Sequence, residues 1–296
     1  MTVHSGPPPE LDTLGAHLGT LFKKMAGGGK RFVHPAVVTR IYDAFEAADD
    51  VQLDVGEVLM YLLNALKDEA DAAENIILKA ALRGMTGDTH YVRPCACKNK
   101  SRATDPFFLL TVPMEELPSN GVDSESSGKQ GEGGAAVHLH TLLAKAYSTQ
   151  TVKSCPDCRG ENGGEPSPDG TSRTPVLADC PDRLMIQLGR FSGNSAERKK
   201  LTHLVTVPTV LNAGPYTEAG RASKVDVLYD LTAAAHHTSR ERQQGDVEKQ
   251  TGHYKAFTRS SADTWHRCND TNVSTVYTSE VLTKNAYILS YAKRCA

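Results

Sequence analysis

The sequence lacks any apolar run that could cross a membrane. A membrane-spanning helix needs about 18 or more largely apolar residues in succession, and none of the 296 residues belongs to such a stretch. The opening segment, MTVHSGPPPELD, has neither the basic nor the apolar region of a secretory signal. These absences predict a protein of the cytoplasm or the nucleus that does not contact membranes.

An excess of charge of one sign is also missing, because 33 Lys and Arg residues face 35 Asp and Glu residues, for a net charge of -2. Nucleic-acid-binding proteins usually concentrate positive charge on one face, so no nucleic acid is expected as a partner. The seven cysteines are an odd number. Without an export signal, a disulfide framework is therefore not expected.

The first third of the chain has the apolar periodicity of helices. From Val55 to Leu66, apolar residues recur every three or four positions, which is typical of one face of an amphipathic helix. Asp54 and Glu57 have the spacing of a capping pair at its start. Shorter helices are predicted over Leu11–Met25 and Pro35–Ala48.

After about residue 90 the pattern becomes that of strands. The predicted strands are Phe107–Val112, Arg183–Leu188, Leu204–Val210, Val225–Ala235, His253–Thr258 and Ala286–Tyr291. Polar segments rich in Gly, Ser and Pro are predicted to be exposed loops: Pro118–Gly134, Arg159–Pro175 and Thr238–Thr251. The order predicts an α+β fold, with a helical part followed by an antiparallel sheet.

Two close pairs of cysteines indicate a structural zinc site. Such a site needs four ligands in a tetrahedron, and two thiolates on one tight turn supply two of them. Cys155 and Cys158 have the usual spacing, whereas Cys95 and Cys97 are one residue closer. The alternative is a ribbon of reduced thiols that binds no metal. Cys180 is either a substitute ligand or an ordinary packed residue.

The C-terminal third contains a candidate general base. His253 lies in Gly252-His253-Tyr254 at the start of a predicted strand, and Asn269 and Asp270 follow after Trp265. An amide or carboxylate on a neighbouring strand would accept the Nδ1–H of the imidazole and leave Nε2 to take a proton from a nucleophile. Taken alone, the position of His253 is more typical of a surface histidine in a turn after a glycine.

Together, these segments resemble the ubiquitin-specific proteases, a family of cysteine peptidases, from about residue 14 to the end. Val51–Val58 is similar to the family's Q-Q-D-A-x-E-F box. Leu184–Phe191 resembles its L-x-I-x-L-K-R-F strand, and Gly252–Tyr254 matches its G-H-Y motif. The cysteine pairs match its zinc-ribbon fingers, and Trp265–Asp270 resembles its W-x-x-F-N/D-D pattern.

The resemblance implies one papain-like domain over residues 1–296. It would have a helical thumb over about 10–88, zinc-ribbon fingers over 89–182 and an antiparallel palm over 183–296. It makes His253 the catalytic base and Asn269 the residue that orients it, with Asp270 beside them. It further implies contacts with ubiquitin or ubiquitinated proteins at these residues: Gln52, Asp54, Gly252, Tyr254 and Trp265. The implied reaction is thiol-dependent hydrolysis of the isopeptide or peptide bond after ubiquitin. The oligomeric state is not indicated.

The family's cysteine box has no counterpart in this sequence. The nucleophilic cysteine should lie in a box before the thumb helix, at a helix N-terminus that lowers its pKa, but no cysteine precedes Cys95. Three hypotheses follow. The sequence is a piece of a deubiquitinase whose cysteine box is encoded upstream, or it is a ubiquitin-binding scaffold without activity, or it is a zinc-ribbon interaction module unrelated to ubiquitin. In the first two, these 296 residues by themselves are expected to be inactive.

Overall fold

The structure is a computed structural model that describes residues 13–26, 35–46, 53–92, 105–114, 136–152, 171–192, 199–244, 247–260 and 263–294. The chain divides into two compact units. One comprises Met1–Gly84 with Glu241–Gly252, and the other comprises Met85–Arg240 with His253–Ala296.

The described part of the first unit is mainly helical. Its helices are α1 (Leu14–Ala26), α2 (Pro35–Ala44), α3 (Val55–Ala72) and α4 (Ile76–Arg83). Their buried residues are Leu14, Val37, Leu63, Ala70 and Leu82. Among the helices that the structure describes anywhere in the chain, none is long and apolar enough to span a membrane.

The start of α3 shows why this sequence becomes a helix at this position. Oδ1 of Asp54 accepts hydrogen bonds from the amides of Gly56 (2.8 Å) and Glu57 (3.2 Å). These amides lack acceptors inside the helix, so the carboxylate stabilises the first turn. Asp54 therefore acts as the helix cap that its spacing predicts. Gln52, the other residue expected in this box to contact substrate, lies outside the described residues.

One carboxylate connects three of these helices. Glu69 of α3 accepts hydrogen bonds from the amides of Leu14 (2.6 Å) and Gly15 (2.8 Å) at the start of α1. Its Oε1 also lies 3.4 Å from Nη1 of Arg40 in α2. The negative charge thus meets both the unsatisfied amides and the positive end of the α1 dipole.

Replacing Glu69 should destabilise the helical unit. We expect Glu69→Ala to lower the free energy of unfolding by about 1–3 kcal/mol, because two amides lose their acceptor and Arg40 loses its partner. Glu69→Gln should have a smaller effect because its amide keeps one acceptor oxygen. Urea unfolding monitored by the helical circular dichroism signal measures both. Asp68→Ala, an exposed position on the same helix, is the control and should change the value by no more than about 0.5 kcal/mol.

The second unit is built around a large sheet, although residues 241–244 of one strand and 247–252 of the next belong to the first unit. In chain order its strands are β3 (Leu109–Pro113), β7 (Arg183–Gly189), β11 (Val210–Asn212), β12 (Leu228–Gln244), β13 (Val247–Arg259), β14 (Trp265–Asn269), β15 (Asn272–Val276) and β16 (Ala286–Lys293). Their order in space is β15-β14-β13-β12-β16-β7-β3, and β11 pairs with β12. The sheet packs on a hydrophobic core that includes Leu139, Leu143, Ile186, Leu231 and Leu289.

A second sheet of four strands lies in the same unit. It contains β1 (Gly87–Val92), β2 (Asp105–Phe107), β5 (Gln150–Val152) and β6 (Thr171–Asp179) in the order β2-β1-β6-β5. Two small two-stranded sheets complete the described strands: β4 (Val137–His138) with β10 (Val205–Thr206), and β8 (Phe191–Ser192) with β9 (Lys199–Lys200). The remaining helices are α5 (Leu139–Ala146), α6 (Glu218–Ser223) and α7 (Thr278–Val281), with a 3-10 turn at Gly214–Tyr216.

Two predicted strands are divided in the structure. The stretch 204–210 forms β10 and the first residue of β11, which pair with different strands. Pro208 lies between them, and it has no amide hydrogen to donate to a strand partner. The stretch 107–112 breaks at the buried Phe108, so that β2 joins the four-stranded sheet and β3 joins the large one. The expected antiparallel sheet also has one exception, because β3 runs parallel to β7.

Two of the predicted loops are partly wrong. Residues 238–244 and 247–251 continue β12 and β13, and residues 171–175 belong to β6. The polar composition was misleading because the hydrogen bonds between strands are made by the backbone and do not require apolar side chains. The third loop, Pro118–Gly134, and residues 159–170 lie outside the described residues.

Candidate active site

The hydrogen-bond register between β13 and β14 positions the candidate base. Ala256 pairs with Cys268, and Phe257 pairs with Arg267. Side chains alternate between the faces of a strand, so His253 shares a face with Phe257 and Arg267, and Asn269 shares it too. Cys268 lies on the opposite face. The register therefore brings His253 and Asn269 together as diagonal neighbours.

The side chains of these two residues form a hydrogen bond. Nε2 of His253 lies 2.6 Å from Oδ1 of Asn269, slightly shorter than most N–H···O hydrogen bonds in proteins. The backbone oxygen of His253 accepts a hydrogen bond of 3.1 Å from Oγ1 of Thr238 in β12. Asn269 on β14 thus orients the imidazole ring, while Thr238 on β12 holds the backbone of His253. The sequence prediction missed Thr238, because it lay in a segment predicted to be a loop.

The ring nitrogen of His253 that meets Asn269 differs from the one predicted from the sequence. The sequence argument gave the Nδ1–H to the orienting residue, whereas the structure uses Nε2. Spacing along the sequence does not determine which edge of the imidazole faces a neighbouring strand, since that depends on the rotation of the side chain. Because a carbonyl oxygen only accepts, Nε2 must carry the hydrogen. In the described residues Nδ1 makes no hydrogen bond, so it is the nitrogen that can take a proton.

Asp270 is held beside this pair by the turn between β14 and β15. Its φ of 51° is in the left-handed region, which Asp adopts more readily than most residues. Its Oδ2 lies 3.7 Å from Nε2 of His253, and its side chain is largely exposed. The carboxylate is too distant for a hydrogen bond and lies beside the ring edge that meets Asn269.

Three other residues were predicted to contact substrate: Gly252, Tyr254 and Trp265. Gly252 belongs to β13 immediately before the base. The Tyr254 ring packs against the rings of His237 (4.7 Å between centroids) and Tyr287 (6.3 Å). Trp265 is only 4% exposed and belongs to the hydrophobic core. Its role as a substrate contact stays a prediction.

The candidate zinc ligands Cys95, Cys97, Cys155 and Cys158 lie outside the described residues. Within those residues, no group of three or more His, Cys, Asp or Glu side chains could hold a metal ion. Cys180 packs against the core, and burial raises the pKa of its thiol. Cys180 is thus a packed thiol in the described structure.

Family comparison agrees with this geometry. The family model described as ubiquitin carboxyl-terminal hydrolase matches residues 4–291. The chain belongs to the ubiquitin carboxyl-terminal hydrolase family. The resemblance to the ubiquitin-specific proteases is thereby confirmed.

Individual hydrolases of this family are similar to the chain at modest identity. Ubiquitin carboxyl-terminal hydrolase 44 of Ailuropoda melanoleuca is 26% identical over 97% of the chain and 43% of its own length. Ubiquitin carboxyl-terminal hydrolase 8 of Saccharomyces cerevisiae is 32% identical over 67% of the chain and 38% of its own length. The chain thus spans less than half the length of these relatives.

Solved structures show that the fold is the papain-like fold of these hydrolases. A chain of the yeast SAGA DUB module superposes with a TM-score of 0.67 and 20% identity, over 96% of this chain and 59% of that one. The SAGA DUB module of Ubp8, Sgf11, Sus1 and Sgf73 bound to monoubiquitin gives a TM-score of 0.61 and 23% identity, over 83% of this chain and 49% of that one.

The hydrogen bond predicts the tautomer of the base. We expect neutral His253 to carry its hydrogen on Nε2, because Oδ1 of Asn269 needs a donor. Long-range ¹H–¹⁵N correlation spectra of the imidazole distinguish the two tautomers. Asn269→Ala should remove this preference, whereas His266→Gln on the same strand should leave it unchanged. A dominant Nδ1–H tautomer in the unmodified protein would contradict the geometry.

A second histidine near the site should make stability depend on pH. His236 is 4% exposed, and its Nε2 lies 2.8 Å from the backbone oxygen of Val281. Burial lowers the pKa of His236 from 6.5 to about 4, although the hydrogen bond to Val281 opposes the shift. The folded protein therefore favours the neutral ring, and unfolding at low pH is accompanied by proton uptake.

The stabilisation due to neutral His236 should be complete above pH 6.5 and be lost as the pH falls toward 4. The loss should reach up to about 3 kcal/mol, since one pKa unit corresponds to about 1.4 kcal/mol. Urea unfolding at several pH values, for the protein and for His236→Gln, measures the difference, because other titrating groups cancel. His266→Gln is the control. Parallel stability curves for the protein and His236→Gln would show that His236 is not the responsible group.

Proposed function

We propose that this protein is a deubiquitinase, a hydrolase of the isopeptide or peptide bond that follows the C-terminal glycine of ubiquitin. The observation that carries the proposal is the 2.6 Å hydrogen bond between His253 and Asn269, in a chain whose family is ubiquitin carboxyl-terminal hydrolase. An oriented imidazole with one ring nitrogen left for proton transfer is the base half of a thiol-dependent catalytic site.

In this reaction, Nδ1 of His253 takes the proton of a cysteine thiol. The thiolate sulfur attacks the glycine carbonyl carbon, and the protonated imidazole then gives its proton to the departing amine. Water hydrolyses the resulting thioester, with His253 again as the base. Asn269 keeps the imidazole in the reactive orientation throughout, and Asp270 lies beside them.

The nucleophile of this scheme is not among the described cysteines. Cys268 lies on the face of β14 opposite to Asn269, as the register requires. Cys180 is a packed thiol whose pKa is raised by burial, and a raised pKa reduces the thiolate fraction. No cysteine precedes Cys95 in the sequence. We therefore propose that a cysteine supplied from outside these 296 residues completes the site, with ubiquitin as the bound partner.

The activity test compares two proteins. The 296-residue polypeptide should release no fluorophore from a ubiquitin–fluorophore substrate, because without a nucleophile the remaining groups sustain little catalysis. A longer version that includes the coding sequence immediately upstream should show turnover and label at its new cysteine with a thiol-reactive ubiquitin probe. His253→Ala should reduce this turnover by several orders of magnitude. His266→Ala, a histidine on β14, is the matched control and should retain it.

Three outcomes would change the proposal. Probe labelling of any of the seven cysteines would overturn the assignment of an external nucleophile. A longer version that binds ubiquitin without turnover would favour a ubiquitin-binding scaffold. Failure of both versions to bind ubiquitin, measured by titration calorimetry, would contradict the proposed function altogether.

We also propose a structural zinc site formed by the two cysteine pairs. The ends of β1 and β5 support it. Both strands are antiparallel to β6 and flank it, so they run in the same direction, with Val92 opposite Thr174 and Val152 opposite Thr171. Cys95 follows Val92, and Cys155 follows Val152, by three residues in each case. The described strand ends Val92 and Val152 thus lie at the same edge of the sheet, on strands about 10 Å apart.

The zinc proposal predicts about one metal ion per chain in protein purified under reducing conditions, with Zn–S distances near 2.3 Å. Elemental analysis gives the stoichiometry, and X-ray absorption gives the distances. The double variant Cys155→Ser with Cys158→Ser should lose the metal. Cys180→Ser should retain it, because Cys180 is packed against the core. Metal-free wild-type protein, or zinc that is bound equally by the double variant, would disprove the site.

The cytoplasm or nucleus is the proposed location of the protein, since both compartments keep such thiols reduced.

A further inference from the structure

The large sheet ends on one side at β15, and the outer edge of this strand is unpaired in the described structure. Among the described strands, β15 pairs with β14 alone. Its side chains are also accessible, since Val273 is 63% exposed and Tyr277, the residue after the strand, is 80% exposed. An unpaired edge presents backbone N–H and C=O groups in the geometry that another strand requires.

The hairpin turn before β15 determines which of its backbone groups point outward. Asn269 pairs with Asn272 across a two-residue turn, and such a turn closes on a hydrogen-bonded pair. Hydrogen-bonded and non-hydrogen-bonded pairs alternate in an antiparallel ladder, so the backbone of Ser274 also bonds to β14. The amides and carbonyl oxygens of Val273 and Thr275 therefore point away from β14, toward the outer edge.

β15 lacks the features with which exposed edge strands usually prevent pairing. Lysine, proline and β-bulges are common among these features. The strand sequence, Asn-Val-Ser-Thr-Val, contains no charged residue and no proline, and over these described residues its register with β14 has no bulge. Valine and threonine are β-branched, and they favour extended strands. The outer edge of β15 is thus suited to pairing with a further strand.

This outer edge is complementary to a second copy of itself. If two β15 strands lie antiparallel across a two-fold axis at Ser274, Val273 of each copy faces Thr275 of the other. These are the residues with outward amides and carbonyl oxygens, so each such pair exchanges both of its backbone hydrogen bonds. The facing side chains are β-branched, and no like charges oppose each other. The net charge of -2 also causes little repulsion between copies.

We propose that the outer edge of β15 is a self-association surface, at which two copies of the chain join their large sheets through an antiparallel β15–β15 pair. The interaction is weak, because an edge of five residues buries less area than a stable dimer needs. Association is therefore expected at protein concentrations on the order of 100 µM. This inference does not depend on the proposed deubiquitinase activity.

Substitutions at Ser274 test the two-fold pairing by analytical ultracentrifugation of the 296-residue protein. Ser274→Glu places two carboxylates opposite each other at the axis, and it faces Arg267 within its own hairpin. Ser274→Lys places two ammonium groups there. Each variant alone should associate several-fold more weakly than the wild type, because like charges oppose each other across the strands. An equimolar mixture of the two variants should regain association. Ser148→Glu, at an exposed serine outside the strands, is the control and should associate like the wild type.

Hydrogen exchange of the unmodified protein locates the contact. As the protein concentration rises from about 10 µM to about 1 mM, the amides of Val273 and Thr275 should exchange several-fold more slowly, because pairing gives them acceptors. The amide of Ser274 already bonds to β14, so its exchange rate should change little. Nuclear magnetic resonance measures the three amides separately.

Three outcomes would overturn the proposal. The first is a protein that stays monomeric throughout this concentration range. The second is a dimer that Ser274→Glu does not weaken, or whose association the mixed variants do not restore, since either result would place the contact elsewhere. The third is protection of Val273 and Thr275 that does not depend on concentration, which would show that another segment of the same chain covers the edge. The exchange measurement decides the question even if a variant fails to fold.

Discussion

The alignment of β13 with β14 is the constraint on which the candidate active site depends. The period of side chains along a strand is two, so a shift of one residue would move His253 to the opposite face of the sheet. Asn269 would then meet a backbone position instead of the imidazole. Further along the two strands, Phe257 and Trp265 are buried in the core. Their burial fixes the register. The geometry of the base is thus maintained by residues that take no part in proton transfer.

Burial near the candidate base also affects the pKa of one neighbouring histidine. Burial favours the neutral form of His236, and the His236 ring packs against Phe257 at 4.3 Å between centroids. His237 packs between Phe191 and Tyr254. The aromatic packing keeps the His236 ring away from water, which disfavours its charged form.

Much of the fold was predictable because several signals in the sequence agreed. The period of apolar residues identified α3, and the cap at Asp54 fixed its start. The strands β7 and β16 were predictable because they are largely buried and mostly apolar. The helices α5, α6 and α7 were not identified, since each is eight residues or shorter and too short for a clear period. The polar ends of β12 and β13 were missed because their backbone pairing has no signature in composition.

The sequence by itself determined the family, and it predicted the candidate base, its orienting residue and the cysteine pairs, because each depends on residue type and spacing along the chain. The tertiary structure decided which ring nitrogen of His253 meets Asn269, that Trp265 belongs to the core, and that Thr238 donates a hydrogen bond to the backbone of His253. These facts depend on side-chain rotation, burial and contacts between segments distant in sequence. Such properties exist only once the strands have paired, so no local pattern encodes them.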